Sequence, residues 1–384
     1  MSDVMNLQAT YHIFPDRGFL PHPDPLVHLS DGDPALSAEA MTTMEALAEL
    51  LPNWMAHDHT ALAHALQRLP SFDVVSGITQ SATLERLFML YAYLASAAIH
   101  GLGWKVLPAG VAVPFYELAQ RLQRPPILSY TTLVLHNWRR VDPCGALTVD
   151  NLAALQTFGQ RPDEAWFALV HVGVEAAAAL AIWQLPAAIA AAENHAWDDL
   201  ESCLNHLAES LSAMRRAFHR MPEGCDPDVY WQHVRPHMFG FQDVVFEGVA
   251  AYGGAAQTLN GGSGAQSSII PAIYNALGIQ HQQTGLMVHL NAMKAHMPAP
   301  HRAFIDVVRT SAIREAAHQT ATLRDAYNTC IDALLAFRRA HLSYAKTYIF
   351  NKTDNPVGTG GTPFMDWLRL LIEETDAHRL PESK

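Results

Sequence analysis

The chain has 384 residues, 49% hydrophobic and 16% charged, which allows a large apolar core and excludes extensive disorder. A formal net charge of −12 excludes the basic surface that nucleic acid or an anionic membrane requires of a partner. Cys144, Cys203, Cys225 and Cys330 lie far apart with no CxxC pair, which excludes a zinc-finger-like site and a disulfide framework. The N-terminal MSDVMNLQATYHIF has no basic start followed by an apolar run, so no secretory signal is expected and a reduced cytoplasmic compartment fits.

Helical periodicity or high helix propensity marks 35–54, 58–69, 80–101, 113–123, 148–159, 164–193, 196–220, 227–238, 266–279, 284–295, 301–314, 319–350 and 362–377. No run of strands with regular turn signals appears, so the predicted class is all-α. Ser37 and Asp163 stand as capping residues ahead of 38–52 and 164–193. Loops fall at 15–34, 141–147, 221–228, 251–265 and 351–363. A weak boundary near 141–160 divides a small helical domain, 1–145, from a large one, 161–384, with 146–160 as linker. Residues 165–192 are apolar enough to span a bilayer, but they contain His171, Glu175, Gln184 and Pro186 and lack a basic flank. A helix buried at the centre of the protein is therefore expected there, with no membrane partner.

The last long amphipathic stretch carries the sharpest signal. Tyr327, Cys330, Leu334, Phe337, His341, Tyr344 and Tyr348 recur at alternating spacings of three and four, which places them on one buried helix face. Six of them are ordinary core residues. The imidazole of His341 needs a partner, either a backbone carbonyl or a metal such as haem iron. On the most apolar helix, Phe167, His171, Val174 and Glu175 share one face, so His171 either pairs with Glu175 or points into a pocket. Arg235, beside Tyr230 and Trp231, is either a surface ion-pair residue or the anchor for a carboxylate under an aromatic lid.

Other motifs carry less. The run from Gly261 to Ala265 nearly matches G-x-S-x-G, but it ends in alanine and follows no buried strand, which disfavours a hydrolase. No Lys-Ser or Lys-Thr follows these glycines, so a phosphate loop is unsupported. That loop is either a helix-entry turn or a cradle for an anion such as a haem propionate, with Ser263 and Gly264 facing it. His57, His59 and His64 have no accompanying carboxylate motif and read as a solvated helix start.

The ordered motifs KVLPAGVAVPFYELAQRLQRPPILSYTTLVLHNWRRVDP, WFALVHVGVEAAAALAI, GGSGAQSS, MPAPHRAF, LRDAY, FRRAHLSYAKTYI and GTGGT resemble those of the indoleamine 2,3-dioxygenase family, from about residue 18 to 375. The resemblance implies an all-α fold with haem b between a small and a large helical domain. It implies O2 as co-substrate, an indole as substrate and an electron donor that keeps iron ferrous. It assigns His341 as the proximal iron ligand and Arg338 to the haem propionates. Ser263 and Gly264 fall on the loop over the haem edge, and Thr359 on the loop that closes over substrate. Tyr130, Phe167, Tyr230 and Trp231 fall on the substrate pocket, and Arg235 on the substrate carboxylate.

Several positions depart from the family pattern. His171 stands where many members have serine, and Tyr230 and Trp231 replace a phenylalanine pair. Leu133 replaces a small residue, GSGAQ replaces GSAGQ, and Tyr274 stands where an aspartate is expected. The resemblance implies opening of the indole C2–C3 bond, with His171 accepting the indole N–H or donating to oxygen. The departures keep open a haem enzyme acting on another 3-substituted indole, and a non-catalytic haem or oxygen sensor.

Overall fold

The longest periodic stretch forms the longest helix, Ala321–Tyr348, whose start is capped by Thr320 accepting the Leu323 N–H. This computed structural model describes residues 6–282, 284–354, 356–359 and 362–381; Gly360 and Gly361 of the second glycine-rich loop lie outside them. Ala321–Tyr348 packs on Trp197–Phe218 along one side and on Phe364–Asp376 along another. Trp197–Phe218 in turn carries Pro162–Ala177 and Ala179–Glu193. One amphipathic helix therefore holds both candidate-bearing helices, and the architecture is all-α as expected.

The predicted helix over 164–193 is two helices, broken at Ala178. The turn at Phe14–Gly18 lies against the break, so close that a Cβ on Gly18 would stand 3.1 Å from the Ala179 Cα. Asp163 is not the cap. The helix begins at Pro162, whose fixed φ suits the first turn, and Asp163 accepts the Asp226 N–H at 2.8 Å instead. Most of the apolar surface of this pair is buried against its neighbours.

Over 148–159 the expected helix is replaced by a single turn, Val149–Asn151, and a two-residue strand, Leu152–Ala153, paired with Arg139–Arg140. The side chain of Asn137 explains this. Its Oδ1 accepts the Leu155 and Gln156 N–H groups, and its Nδ2 donates to the Gln156 carbonyl. These tertiary bonds displace the local i→i−4 pattern.

A small sheet also escaped the periodicity, because its strands are too short to show alternation. Val106–Leu107 runs parallel to Phe241–Phe246, and Gln257–Leu259 runs antiparallel to it. The sheet anchors the 230–262 segment through Phe241–Phe246 and Gln257–Leu259. Ser96 and His100, at the end of the buried Ser81–Ser96 helix and in the π-turn after it, donate to the His237 and Phe239 carbonyls at 2.6 and 3.0 Å. Inside the segment, the backbone at Gly261 passes so near Met238 that a Cβ would stand 2.2 Å from its carbonyl oxygen.

Candidate active site

The seam predicted on Ala321–Tyr348 has the expected register, but its burial is uneven. Tyr327, Cys330, Leu334 and Tyr348 are buried, whereas Phe337, His341 and Tyr344 are partly open and line a cavity of about 340 Å³. Neither ring nitrogen of His341 has a hydrogen-bond partner among the described residues, which removes the reading of a core histidine tied to a carbonyl. Burial pushes its pKa down to about 4, helped by His171 and Arg338. It is held as a neutral imidazole on the cavity wall.

Pro162–Ala177 supplies another wall through Phe167 and His171. His171 Nδ1 lies 2.8 Å from the Phe167 carbonyl oxygen. A carbonyl only accepts, so Nδ1 carries the hydrogen and Nε2 is left as a bare acceptor. Burial lowers the His171 pKa against that bond, which keeps the ring neutral. The expected alternative, a His171–Glu175 pair, is not formed. Glu175 Oε1 instead accepts the hydroxyls of Tyr130 at 2.9 Å and Ser267 at 2.8 Å, while Oε2 is buried without a partner. Burial raises the Glu175 pKa to about 7 in spite of both hydroxyl bonds. Glu175 thus ties together three segments around the cavity, a role that sequence spacing on its own helix does not reveal.

The glycine loop realises the helix-entry reading at the cavity wall. Ser263 caps the short turn Gly264–Gln266 by accepting the Ala265 N–H, and Gln266 accepts the Ser263 N–H and the Tyr130 N–H. Ser263 and Gly264 both line the cavity, but two of the N–H groups expected to cradle an anion are already engaged. Thr359 lines it as well, and its hydroxyl donates to the Gly262 carbonyl at 2.8 Å.

Arg235 is buried, with no carboxylate within ion-pair reach among the described residues, so the surface-pair reading fails. Its guanidinium lies between the Trp231 and Phe239 rings, at 4.8 and 4.6 Å, and donates through Nη2 to the Val357 carbonyl at 2.6 Å. Nε has no partner. Neither Arg235 nor Trp231 is among the residues lining the cavity, and Trp231 covers the arginine. Tyr230 is on the wall, packed at a tilt against Phe167 with ring centres 4.8 Å apart.

Arg338, one turn before His341, lines the cavity and donates to the Leu371 carbonyl, with Nε unpartnered. Burial lowers its pKa to about 10 despite Tyr274 and Glu374 nearby. Sequence reasoning missed the buried His281–Glu374 pair, 2.5 Å apart, which lies against Tyr274. It also missed Phe218, whose ring touches both His171 and His341. His57, His59 and His64 are on exposed helix faces, and no metal-binding cluster is found among the described residues.

This donor set fits haem. A neutral imidazole with no protein partner suits the iron, and a buried guanidinium with an uncommitted N–H suits a propionate. Leu133, Val134, Phe167, Ile270 and Leu286 supply apolar walls for the flat macrocycle.

A family model described as indoleamine 2,3-dioxygenase matches residues 7–378. The chain is 32% identical to indoleamine 2,3-dioxygenase 1 of Mus musculus over 399 residues, covering 95% of this chain and 94% of the relative. It is 28% identical to indoleamine 2,3-dioxygenase of Saccharomyces cerevisiae over 428 residues, covering 96% and 92%. It is 27% identical to a 6-hydroxytryptophan 2,3-dioxygenase of Fusarium equiseti over 409 residues, covering 97% of each. The chain belongs to the indoleamine 2,3-dioxygenase family, whose members are haem-dependent dioxygenases acting on indoles.

Proposed function

We propose that this member of the indoleamine 2,3-dioxygenase family holds haem b through His341 and opens the C2–C3 bond of L-tryptophan or a closely related 3-substituted indole. The observation that carries the reading is the unpartnered His341 imidazole, sharing one cavity with the bare Nε2 of His171. Bound haem supplies the site for dioxygen and the electronic rearrangement, and an external electron donor keeps its iron ferrous.

The chain's own residues then position and shield. His341 holds the cofactor as a neutral ligand, and Arg338 takes an anionic edge through its free Nε–H. Phe167, Tyr130 and Phe218 form an apolar wall that excludes water from the indole ring. His171 Nε2 accepts the indole N–H and so fixes the ring's rotation. Donation from His171 to oxygen would need a second proton on a buried ring, which its lowered pKa opposes. Arg235, behind the wall, supplies the positive charge that draws the substrate's carboxylate to that end of the cavity. Both atoms of O2 end in the product as carbonyl oxygens, so ring opening consumes no outside protons.

Acting on a different 3-substituted indole is the second reading. The polar groups of His171 and Tyr230 on the cavity wall support it, as does the likeness to a 6-hydroxytryptophan 2,3-dioxygenase. The deciding experiment is anaerobic reduction of the haem-loaded protein, addition of L-tryptophan, indole or 3-methylindole, then oxygen, with products identified by mass. Addition of two oxygen atoms supports the proposal. Failure of every indole to perturb the Soret band would leave a sensor, and binding without oxygen incorporation would point to other chemistry.

A further inference from the structure

Five tyrosines line the cavity: Tyr130, Tyr230, Tyr274, Tyr344 and Tyr348. Tyr130 donates to the buried Glu175 carboxyl, and Tyr348 donates to the Cys225 carbonyl. Among the described residues, Tyr344 alone of the five has a nitrogen base at its hydroxyl. Its oxygen lies 3.1 Å from His219 Nδ1 and 3.5 Å from the His219 carbonyl oxygen. The nitrogen is the nearer acceptor, so the phenol donates to it and the imidazole carries its own hydrogen on Nε2. Tyr344 is half-buried on the cavity wall, whereas His219 is exposed just past the end of the Trp197–Phe218 helix. The pair joins the cavity to solvent.

Tyr344 also stands one turn beyond His341 on the same helix face. Phe218 meets the Tyr344 ring edge-on at 4.9 Å and packs against His341 at 6.1 Å, so aromatic contacts run from His341 to Tyr344 without a gap. Trp367, another oxidisable ring on the wall, donates its N–H to no described residue and only packs at 5.2 Å from His289. A base matters because an oxidised phenol becomes strongly acidic, so its electron and proton leave together. A phenol is too hard to oxidise to pass electrons to resting ferric iron. It does yield one to haem that has met a strong oxidant such as a peroxide.

We propose that Tyr344 and His219 form a redox-active pair that carries oxidising equivalents from the cofactor to the surface when the haem meets a peroxide. This rests on His341 holding haem, and it adds a second chemistry beside ring opening. Hydrogen peroxide takes two electrons from the haem protein and two protons from solvent, and leaves as water. Tyr344 replaces one of those electrons through Phe218. Its O–H bond breaks, and the proton passes along the hydrogen bond to His219 Nδ1. A neutral tyrosyl radical and an imidazolium remain, and the exposed imidazolium releases its Nε2 proton to solvent. A one-electron reductant such as ascorbate then refills the radical as the proton returns, and replaces the second electron at the cofactor.

The test mixes the ferric haem-loaded protein with an equimolar amount of hydrogen peroxide, freezes it and records electron paramagnetic resonance. The unaltered protein should give an organic radical with the hyperfine pattern of a tyrosine. Tyr344→Phe keeps the ring against Phe218 and Tyr348 and removes only the hydroxyl, so most of that signal should be lost. His219→Phe leaves Tyr344 in place without its base, and the same loss is expected. An undiminished signal in Tyr344→Phe would put the radical elsewhere and overturn the proposal. Loss in Tyr344→Phe with persistence in His219→Phe would overturn the pair. A nitroso spin trap on the unaltered protein, followed by peptide mass mapping, locates the radical without any variant: an adduct on Tyr344 supports the proposal, and one on Trp367 or another tyrosine overturns it. If the unaltered protein binds no haem, the reading of the site falls and this proposal with it; if it binds haem and peroxide raises no tyrosine radical, only this proposal falls.

Discussion

The imidazoles of His171 and His341 both pack on Phe218, with ring centres 5.8 and 6.1 Å away. Phe218 is the last residue of the helix that also carries the helices bearing both histidines. The separation of the two imidazoles is therefore set by one rigid element and not by loops. Each presents nitrogen lone pairs that no described residue satisfies, His341 because it has no partner and His171 because only Nδ1 is bonded. Both rings open onto the cavity, where a ligand can complete them. The arrangement therefore makes sense as a site that binds between two fixed imidazoles.

His341→Ala is expected to give a folded protein that no longer retains stoichiometric haem. Circular dichroism should stay helical, since the side chain makes no hydrogen bond that the fold loses. The measurement is haem content per chain after gel filtration. Full retention with an unchanged ferrous spectrum would mean that another histidine is axial.

Arg235→Ala is expected to cost about 2–4 kcal/mol of transition-state stabilisation for L-tryptophan, the scale for removing one partner of a buried charged contact. Indole, which has no carboxylate, should lose far less. Comparing kcat/KM for the two substrates decides it. Because Arg235 also holds the Val357 carbonyl and packs between Trp231 and Phe239, equal losses would assign it to the loop and the packing instead.

How much of this was legible in the sequence follows from whether a feature is local. The Ala321–Tyr348 seam was legible because spacings of three and four survive any tertiary context, and His341 fell on the right face. Which part of that face opens onto a cavity was not legible, because Phe218 and Phe167 come from elsewhere in the chain. Which partner Glu175 takes was left open in the sequence for the same reason. His171 is its neighbour along the helix, yet its partners Tyr130 and Ser267 arrive from two distant segments. Residues 148–159 carry apolar spacing suited to a helix, and only the Asn137 amide explains why they are extended. Tyr230 and Trp231 looked equivalent, but a π-turn, which has no sequence period to betray it, sends one to the cavity and the other onto Arg235.

The pH dependence of stability should report Glu175. Its native pKa of about 7 lies above the ordinary 4.5 for a glutamate, so the folded state holds its proton more tightly than the unfolded state. Stability is then lost as pH rises from about 4.5 to 7, by up to about 3 kcal/mol from this group. Glu175→Gln keeps an acceptor for Tyr130 and Ser267 and cannot ionise, so its stability should fall less steeply across that window. Glu164, also raised to about 7, contributes equally to both proteins and cancels in the difference. Denaturation midpoints at pH 5, 6, 7 and 8 give the two slopes. Identical slopes would show that Glu175 is not held protonated.

His171 is expected to orient the indole and not to ligate iron. Its Nδ1–H is fixed on the Phe167 carbonyl, so Nε2 meets the cavity as an acceptor and has no hydrogen to give. His171→Ser should keep haem, because His341 and Arg338 are untouched, and should keep measurable dioxygenation. The substitution should erode the preference for indole over 1-methylindole by about 1 kcal/mol, since only the former donates a ring N–H. Side-by-side kcat/KM values for the two substrates in both proteins measure it. Loss of haem would make His171 axial or a fold element. An equal drop for both substrates would mean that its role is to fill space beside Phe167 and Phe218, whose rings it touches at 4.7 and 5.8 Å.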